Sequence, residues 1–212
     1  MTADRRFAPF CNRRQVPDLS RLFAPSAAST RVFVLGALLC AGVATVVPGS
    51  AAAYQLGDVV NDFTYDNLAG EPVSLSDFAG DIVLINFFAT WCPGCNVEAA
   101  ILENDIHRVY AEYGVTVLAI DMQEPAWLVA DCAAQQGVTY EIVLSPNWDL
   151  FSQFPVAGGL PYNAIIDRQG VLRYARILFD EASLLATLNA LLGFDPVAVE
   201  AASFGAVKAL FR

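Results

Sequence analysis

Two cysteines separated by two residues, in Trp91-Cys92-Pro93-Gly94-Cys95, are the part of this chain whose residue types and spacing most directly suit chemistry. An apolar stretch precedes them and a helical pattern follows, so Cys92 is expected where a strand ends and a helix begins. The first turn of a helix carries partial positive charge and unpaired N–H groups, and both favour a thiolate, the attacking species, over a thiol. Cys95 falls one turn further on the same face. It is close enough to form a disulfide with Cys92, or to resolve a mixed disulfide that Cys92 makes with a substrate. Pro93 suits the first helical position, where its missing N–H costs nothing, and Gly94 adds no side chain to obstruct the sulfurs.

A C-x-x-C pair equally suits half a zinc site or a structural staple. Zinc needs two further ligands, and beyond residue 53 the chain offers only His107 and Cys132, neither in a paired spacing, so no metal is expected. A non-catalytic Cu(I) carrier remains an alternative, although its distal histidine is missing: only His107 follows the pair, within the same predicted helix. The redox-active disulfide Cys92–Cys95 is itself the expected redox group, with no separate cofactor.

The elements that must position the pair can be read on either side of it. Residues 63–78 hold two short β-prone segments around Asp66-Asn67-Leu68-Ala69-Gly70, which predicts a hairpin. Ile82 to Phe88 is apolar except for Asn86, as a buried strand would be. A helix is expected from Cys92 to Tyr113, with Val97, Ile101, Ile106, Val109, Tyr110 and Tyr113 on its apolar face and Gly114 ending it. Then follow strands at 115–120 and 138–144 around a helix at 125–136, a short helix at 147–154, and strands at 163–166 and 171–178 joined by Asp167-Arg168-Gln169-Gly170. A last helix spans 180–192, with Asp180 as its cap. Helical crossovers make the first strands parallel and the tight turn makes the last pair antiparallel. The expectation is an α/β fold with a mixed central sheet, helices on both faces and an N-terminal β-hairpin.

The chain has 212 residues, 56% of them hydrophobic and 16% charged, enough for one substantial core. Its first 53 residues read as a separate export segment. Six arginines precede an uncharged run at 32–47, Pro48-Gly49-Ser50 interrupts it, and Ala51-Ala52-Ala53 offers small residues for cleavage. The run is shorter than the roughly 20 residues a membrane span prefers, so cleavage after Ala53 is expected, with an uncleaved membrane anchor through 32–47 as the second choice. Residues 54–193 form the predicted domain and 194–212 a helical extension. Beyond residue 53 there are twenty acidic and six basic residues, a formal charge of −14, which argues against nucleic acid or an anionic membrane surface as partner. Cys11 and Cys40 lie in the leader, leaving one close pair and one odd cysteine in an oxidising compartment, a pattern that suits catalysis better than a disulfide framework.

FFATWCPGCNVE, with SLSDFAGDIVLIN before it and GGLPYNAIIDRQGVL after it, resembles the TlpA/ResA/CcmG branch of thioredoxin-like proteins over about residues 63–192. The resemblance implies a periplasmic or membrane-anchored thiol–disulfide oxidoreductase that reduces protein disulfides, in cytochrome c maturation or metal-site assembly, and is recharged by a membrane thiol donor. It also implies that Cys92 attacks, Cys95 resolves, and Glu98 moves protons beside the pair. A carboxylate near a buried thiol can act as base, whereas residue type alone allows Glu98 to be a solvated first-turn acid. Leu160-Pro161 matches the family's cis-proline loop, whose backbone pairs with an extended substrate segment, and Trp91, Pro93 and Gly94 complete the expected docking surface. Asn86 stands where thioredoxin has a buried aspartate. Ala100 and Asn96 depart from the family's usual proline and basic residue.

A thiol peroxidase of peroxiredoxin type shares the fold and is a further alternative. Its nucleophile needs a proline seven residues upstream and Thr or Ser three residues upstream, where this chain has Ile85 and Ala89. Cys132 is expected to be a small buried filler, His107 a surface residue, and Trp127 and Trp148 core or loop packing.

Overall fold

The computed structural model describes Cys11 and residues 53–155 and 158–194. The leader run at 32–47, the residues 51–52 before the expected cleavage after Ala53, and the extension beyond 194 lie outside the described residues. Among the described residues no helix is long and apolar enough to cross a membrane.

The hairpin forms as expected, with strands β1 (Thr64–Asp66) and β2 (Pro72–Ser74) paired antiparallel. Asn67 makes the turn: its side-chain oxygen accepts from the backbone N–H groups of Ala69 and Glu71. The central sheet contains β3 (Ile82–Phe88), β4 (Val115–Met122), β5 (Glu141–Ser145), β6 (Tyr162–Ile166) and β7 (Leu172–Ile177), in the order β5-β4-β3-β6-β7. Strand β3 is parallel to β4 and antiparallel to β6, and β4 is parallel to β5, so the sheet is mixed.

Strand β3 is central and buried on both faces, which explains its unbroken apolar text. Val83, Ile85 and Phe87 join Leu118, Ile120, Phe151 and Phe154 on one face. Ile82 and Leu84 join Leu102, Ile106, Val129 and Leu188 on the other. Side chains alternate along a strand, so Asn86 belongs with Ile82 and Leu84 and points to the face covered by the helix that carries the cysteines.

That helix differs from its prediction in detail. α1 (Pro93–Ile101) runs into a π-helical segment, Leu102–His107, then α2 (Arg108–Tyr110) and a terminal 3-10 turn, closed by Gly114 at φ 74°. The buried residues are Cys95, Glu98, Ala99, Leu102, Glu103 and Ile106. Val97, Val109 and Tyr113, expected on the apolar face, are exposed. The wider π turn rotates the face, and hydropathy alone took Val97 where the fold buries its neighbour Glu98.

α3 (Ala126–Gln136) crosses from β4 to β5, α4 (Asp149–Gln153) lies between β5 and β6, and α5 (Glu181–Leu192) closes the domain. Asp180 caps α5 as predicted, accepting from the Ser183 N–H. His107 is a correction: it is half-buried, its ring set edge-on to Tyr140 rather than free at the surface.

Candidate active site

Cys92 is the N-cap of α1, and its sulfur accepts from the Cys95 N–H at 3.2 Å. The two residues are joined as a disulfide, their Cα atoms 5.2 Å apart. Both are buried, packed with Ala89 and partly covered by Phe88 and Leu160. Trp91, Pro93 and Gly94 are exposed around them, so the covered sulfurs lie beneath an accessible rim.

The Leu160–Pro161 peptide is cis. Leu160 packs on the cysteine pair, and a Cβ added to Gly94 would lie 3.2 Å from Pro161 Cδ. The proline loop and the first turn of α1 therefore meet closely enough that a side chain at residue 94 would press on Pro161. The sequence-derived residues Trp91, Cys92, Pro93, Gly94, Cys95, Leu160 and Pro161 all come together here.

Glu98 comes with them, one turn behind Cys95, and its exposure is only 1%. A solvated first-turn acid is thereby excluded. Its Oε1 accepts from Asn163 Nδ2 at 2.6 Å and from Asn86 Nδ2 at 3.1 Å, while Asn86 Nδ2 also reaches Asn163 Oδ1 at 3.1 Å. Oε2 has no partner among the described residues. Burial pushes the Glu98 carboxyl up to about 7, against the opposing effect of the Asn163 hydrogen bond. An acid poised at that value with one free oxygen is suited to exchange protons near neutral pH.

A second acidic group supports the loop from the other side. Glu124 accepts from the Thr90 backbone N–H at 2.5 Å and from its hydroxyl at 2.7 Å, and its own N–H donates to Asp121 Oδ2 at 2.8 Å. Asp121 is fully buried, its Oδ1 has no partner among the described residues, and burial raises its pKa. Asn96 closes the loop by donating to the Thr90 carbonyl at 3.0 Å. Sequence reasoning missed Thr90, Asp121, Glu124 and Asn163. Their types are ordinary, and only the acidic residue after a parallel strand could have drawn notice.

Cys132 is buried, as a filler would be, but it is also joined in a disulfide to Cys11, with Cα atoms 5.4 Å apart. It shares a small pocket with Cys95, Asn96 and Gln136. No cluster of three or more metal-ligating side chains occurs among the described residues.

Residues 56–175 match the model of the AhpC/TSA family. The chain belongs to that family. Its relatives include thiol–disulfide oxidoreductases: ResA of Geobacillus kaustophilus is 32% identical over 121 residues, 57% of this chain and 68% of that protein. A Bacteroides thetaiotaomicron protein assigned as a protein disulfide isomerase is 32% identical, with TM-score 0.60, covering 66% of this chain and 91% of that one. A Chlorobium tepidum protein assigned as the thiol:disulfide interchange protein DsbE is 25% identical, with TM-score 0.58, covering 66% and 99%. With a ResA relative at this identity and coverage, the chain is a thioredoxin-fold thiol–disulfide oxidoreductase.

Proposed function

We propose that the protein reduces disulfides of exported proteins through the Cys92–Cys95 dithiol, with Glu98 as the proton acceptor for Cys95. The observation that carries this is the buried, half-satisfied Glu98 carboxyl one helical turn behind the pair.

In the reduced protein, Cys92 thiolate attacks one sulfur of a substrate disulfide, and the other substrate sulfur leaves as a thiolate. Glu98 takes the Cys95 proton. The new Cys95 thiolate attacks Cys92 Sγ, breaks the mixed disulfide and expels the second substrate thiolate. Two electrons pass to the substrate, which ends as a dithiol once its sulfurs are protonated, and Cys92–Cys95 is left oxidised, the state described above. A membrane thiol donor restores the dithiol. Leu160 and Pro161 hold the substrate segment beside the pair, with Trp91, Pro93 and Gly94 forming the rim.

The arginine-rich leader with its apolar run at 32–47 supports export and removal after Ala53, and the resemblance to the ResA and CcmG branch supports cytochrome c maturation or metal-site assembly as the setting. The peroxidase alternative gains nothing from the geometry, since Ala89 in the Cys92 cluster offers no hydroxyl to a peroxide.

The test is the Cys92–Cys95 potential, by equilibration with dithiothreitol and glutathione. A value near about −270 mV is expected, and one as oxidising as about −120 mV would overturn the reductase reading. Cys95→Ser should then trap the mixed disulfide on Cys92.

A further inference from the structure

The three tryptophans of this chain occupy equivalent positions. Strands β5, β4 and β3 are neighbours and run parallel, and each is followed by a tryptophan where the next helix begins. Trp91 immediately precedes the N-cap of α1, Trp127 lies in the first turn of α3, and Trp148 is the N-cap of α4. Their exposures are 57%, 60% and 37%. Trp127 thus corrects the expectation of a packing role, and Trp148 is only partly used that way, edge-on to Phe151 at 5.3 Å. The Trp148 indole N–H donates to Gln123 Oε1 at 2.6 Å, which fixes that ring across the β4–β5 boundary. Single exposed apolar side chains are common, but three tryptophans on the sheet edge that carries the redox pair form a surface.

The charge of that edge is one-sided. Glu124 follows β4, Asp131 lies one turn beyond Trp127, and Asp149 adjoins Trp148, while no Lys, Arg or His occurs from 109 to 167. The described arginines are engaged elsewhere. Arg108 pairs with Glu103, Arg173 with Asp167, Arg176 on the far side of the sheet with Asp180, and Arg168 donates to the Tyr113 carbonyl. Aromatic faces attract cations through their quadrupole, and carboxylates with no free cation beside them among the described residues add a field of the same preference.

We propose that Trp91, Trp127 and Trp148, with Glu124, Asp131 and Asp149, dock a disulfide-bearing protein through Lys or Arg side chains flanking its disulfide. This rests on the exchange reaction above and supplies its substrate class.

The experiment uses two synthetic peptides, each with one intramolecular disulfide, flanked by lysines in one and glutamates in the other. The reduced protein should reduce the lysine peptide about tenfold faster at about 20 mM salt, with the ratio shrinking below about threefold at about 500 mM. Trp127→Ala and Trp148→Ala should each lower the ratio, and a double variant should abolish most of it. Equal rates for the two peptides at low salt overturn the proposal. Docking is read separately from exchange by tryptophan fluorescence, using the lysine peptide with serines in place of its cysteines. Saturable, salt-sensitive quenching supports docking even if reduction fails, and its absence overturns docking even if neutral hydroxyethyl disulfide is reduced normally.

Discussion

Asn163 on β6 donates to Glu98 on α1 at 2.6 Å, joining two residues 65 positions apart beneath the redox pair. This contact fixes Glu98 Oε1, while Oε2 has no partner among the described residues, so the carboxyl is held in place through one oxygen.

Glu98 keeps its proton up to about 7 in the folded protein, against 4.5 ordinarily. Between these values the folded state binds more protons than the unfolded one, so stability falls as pH rises and levels off above about 7. The loss is on the order of 3 kcal/mol. Glu98→Gln removes that loss. Urea unfolding of the oxidised proteins should show the variant gaining on the parent from pH 5 to pH 8, and a constant difference would contradict the assignment.

The same residue should set the pH profile of exchange. Release of substrate from the mixed disulfide should accelerate through about pH 7 in the parent, as Glu98 becomes able to accept the Cys95 proton. In Glu98→Gln this step should be slower by about 10- to 100-fold at neutral pH, with the inflection displaced toward the thiol's own pKa. Stopped-flow resolution of a preformed mixed disulfide measures it directly.

Glu124 should act as a positioning residue for the loop before Cys92. Its carboxylate grips both Thr90 donors, and hydrogen bonds to a charged group contribute about 1.5–3 kcal/mol each, less where solvent reaches them. Glu124→Ala is expected to cost about 2 kcal/mol and to speed hydrogen exchange at the Thr90 amide. Unchanged protection there would mean that the grip is unimportant in solution.

Gly94→Ala tests the close approach to Pro161. The added methyl would sit 3.2 Å from Pro161 Cδ, so the proline loop must shift by a few tenths of an ångström. Reduction of protein disulfides should slow by about three- to tenfold, because exchange depends on alignment of the incoming sulfur. Stability should change by less than about 1.5 kcal/mol, since the shift required of the buried Pro161 is so small.

Cys132 provides a test of processing. Cys11 precedes the apolar run, and if the leader directs export as proposed, its arginine-rich flank stays on the cytoplasmic side while the domain crosses. The Cys11–Cys132 bond should therefore occur only in a chain that retains its leader on the same side as the domain. Protein recovered from the exported fraction should begin at Tyr54 and carry Cys132 as a free thiol in non-reducing peptide maps. Recovery of the linked Cys11 and Cys132 peptides from that fraction would refute export by this leader.

The sequence by itself determined what is local. The spacing of Cys92 and Cys95 follows from one helical turn, the apolar run 82–88 from burial on both strand faces, and the Asp180 cap from a side chain bonding three residues ahead. The mixed sheet was legible for the same reason, since helical crossovers and a four-residue turn dictate strand direction. Tertiary structure decided what depends on partners far apart in the chain. Hydropathy placed Val97 inward, and only the packing of α1 on β3 and β6 turned Glu98 inward to meet Asn86 and Asn163. Thr90 met Glu124 across 34 residues, and the three tryptophans became one exposed edge because their strands are neighbours. Residue types specify which bonds are possible at Cys92 and Cys95. The burial and the polar partners that tune the site arise only when separate strands assemble into one sheet.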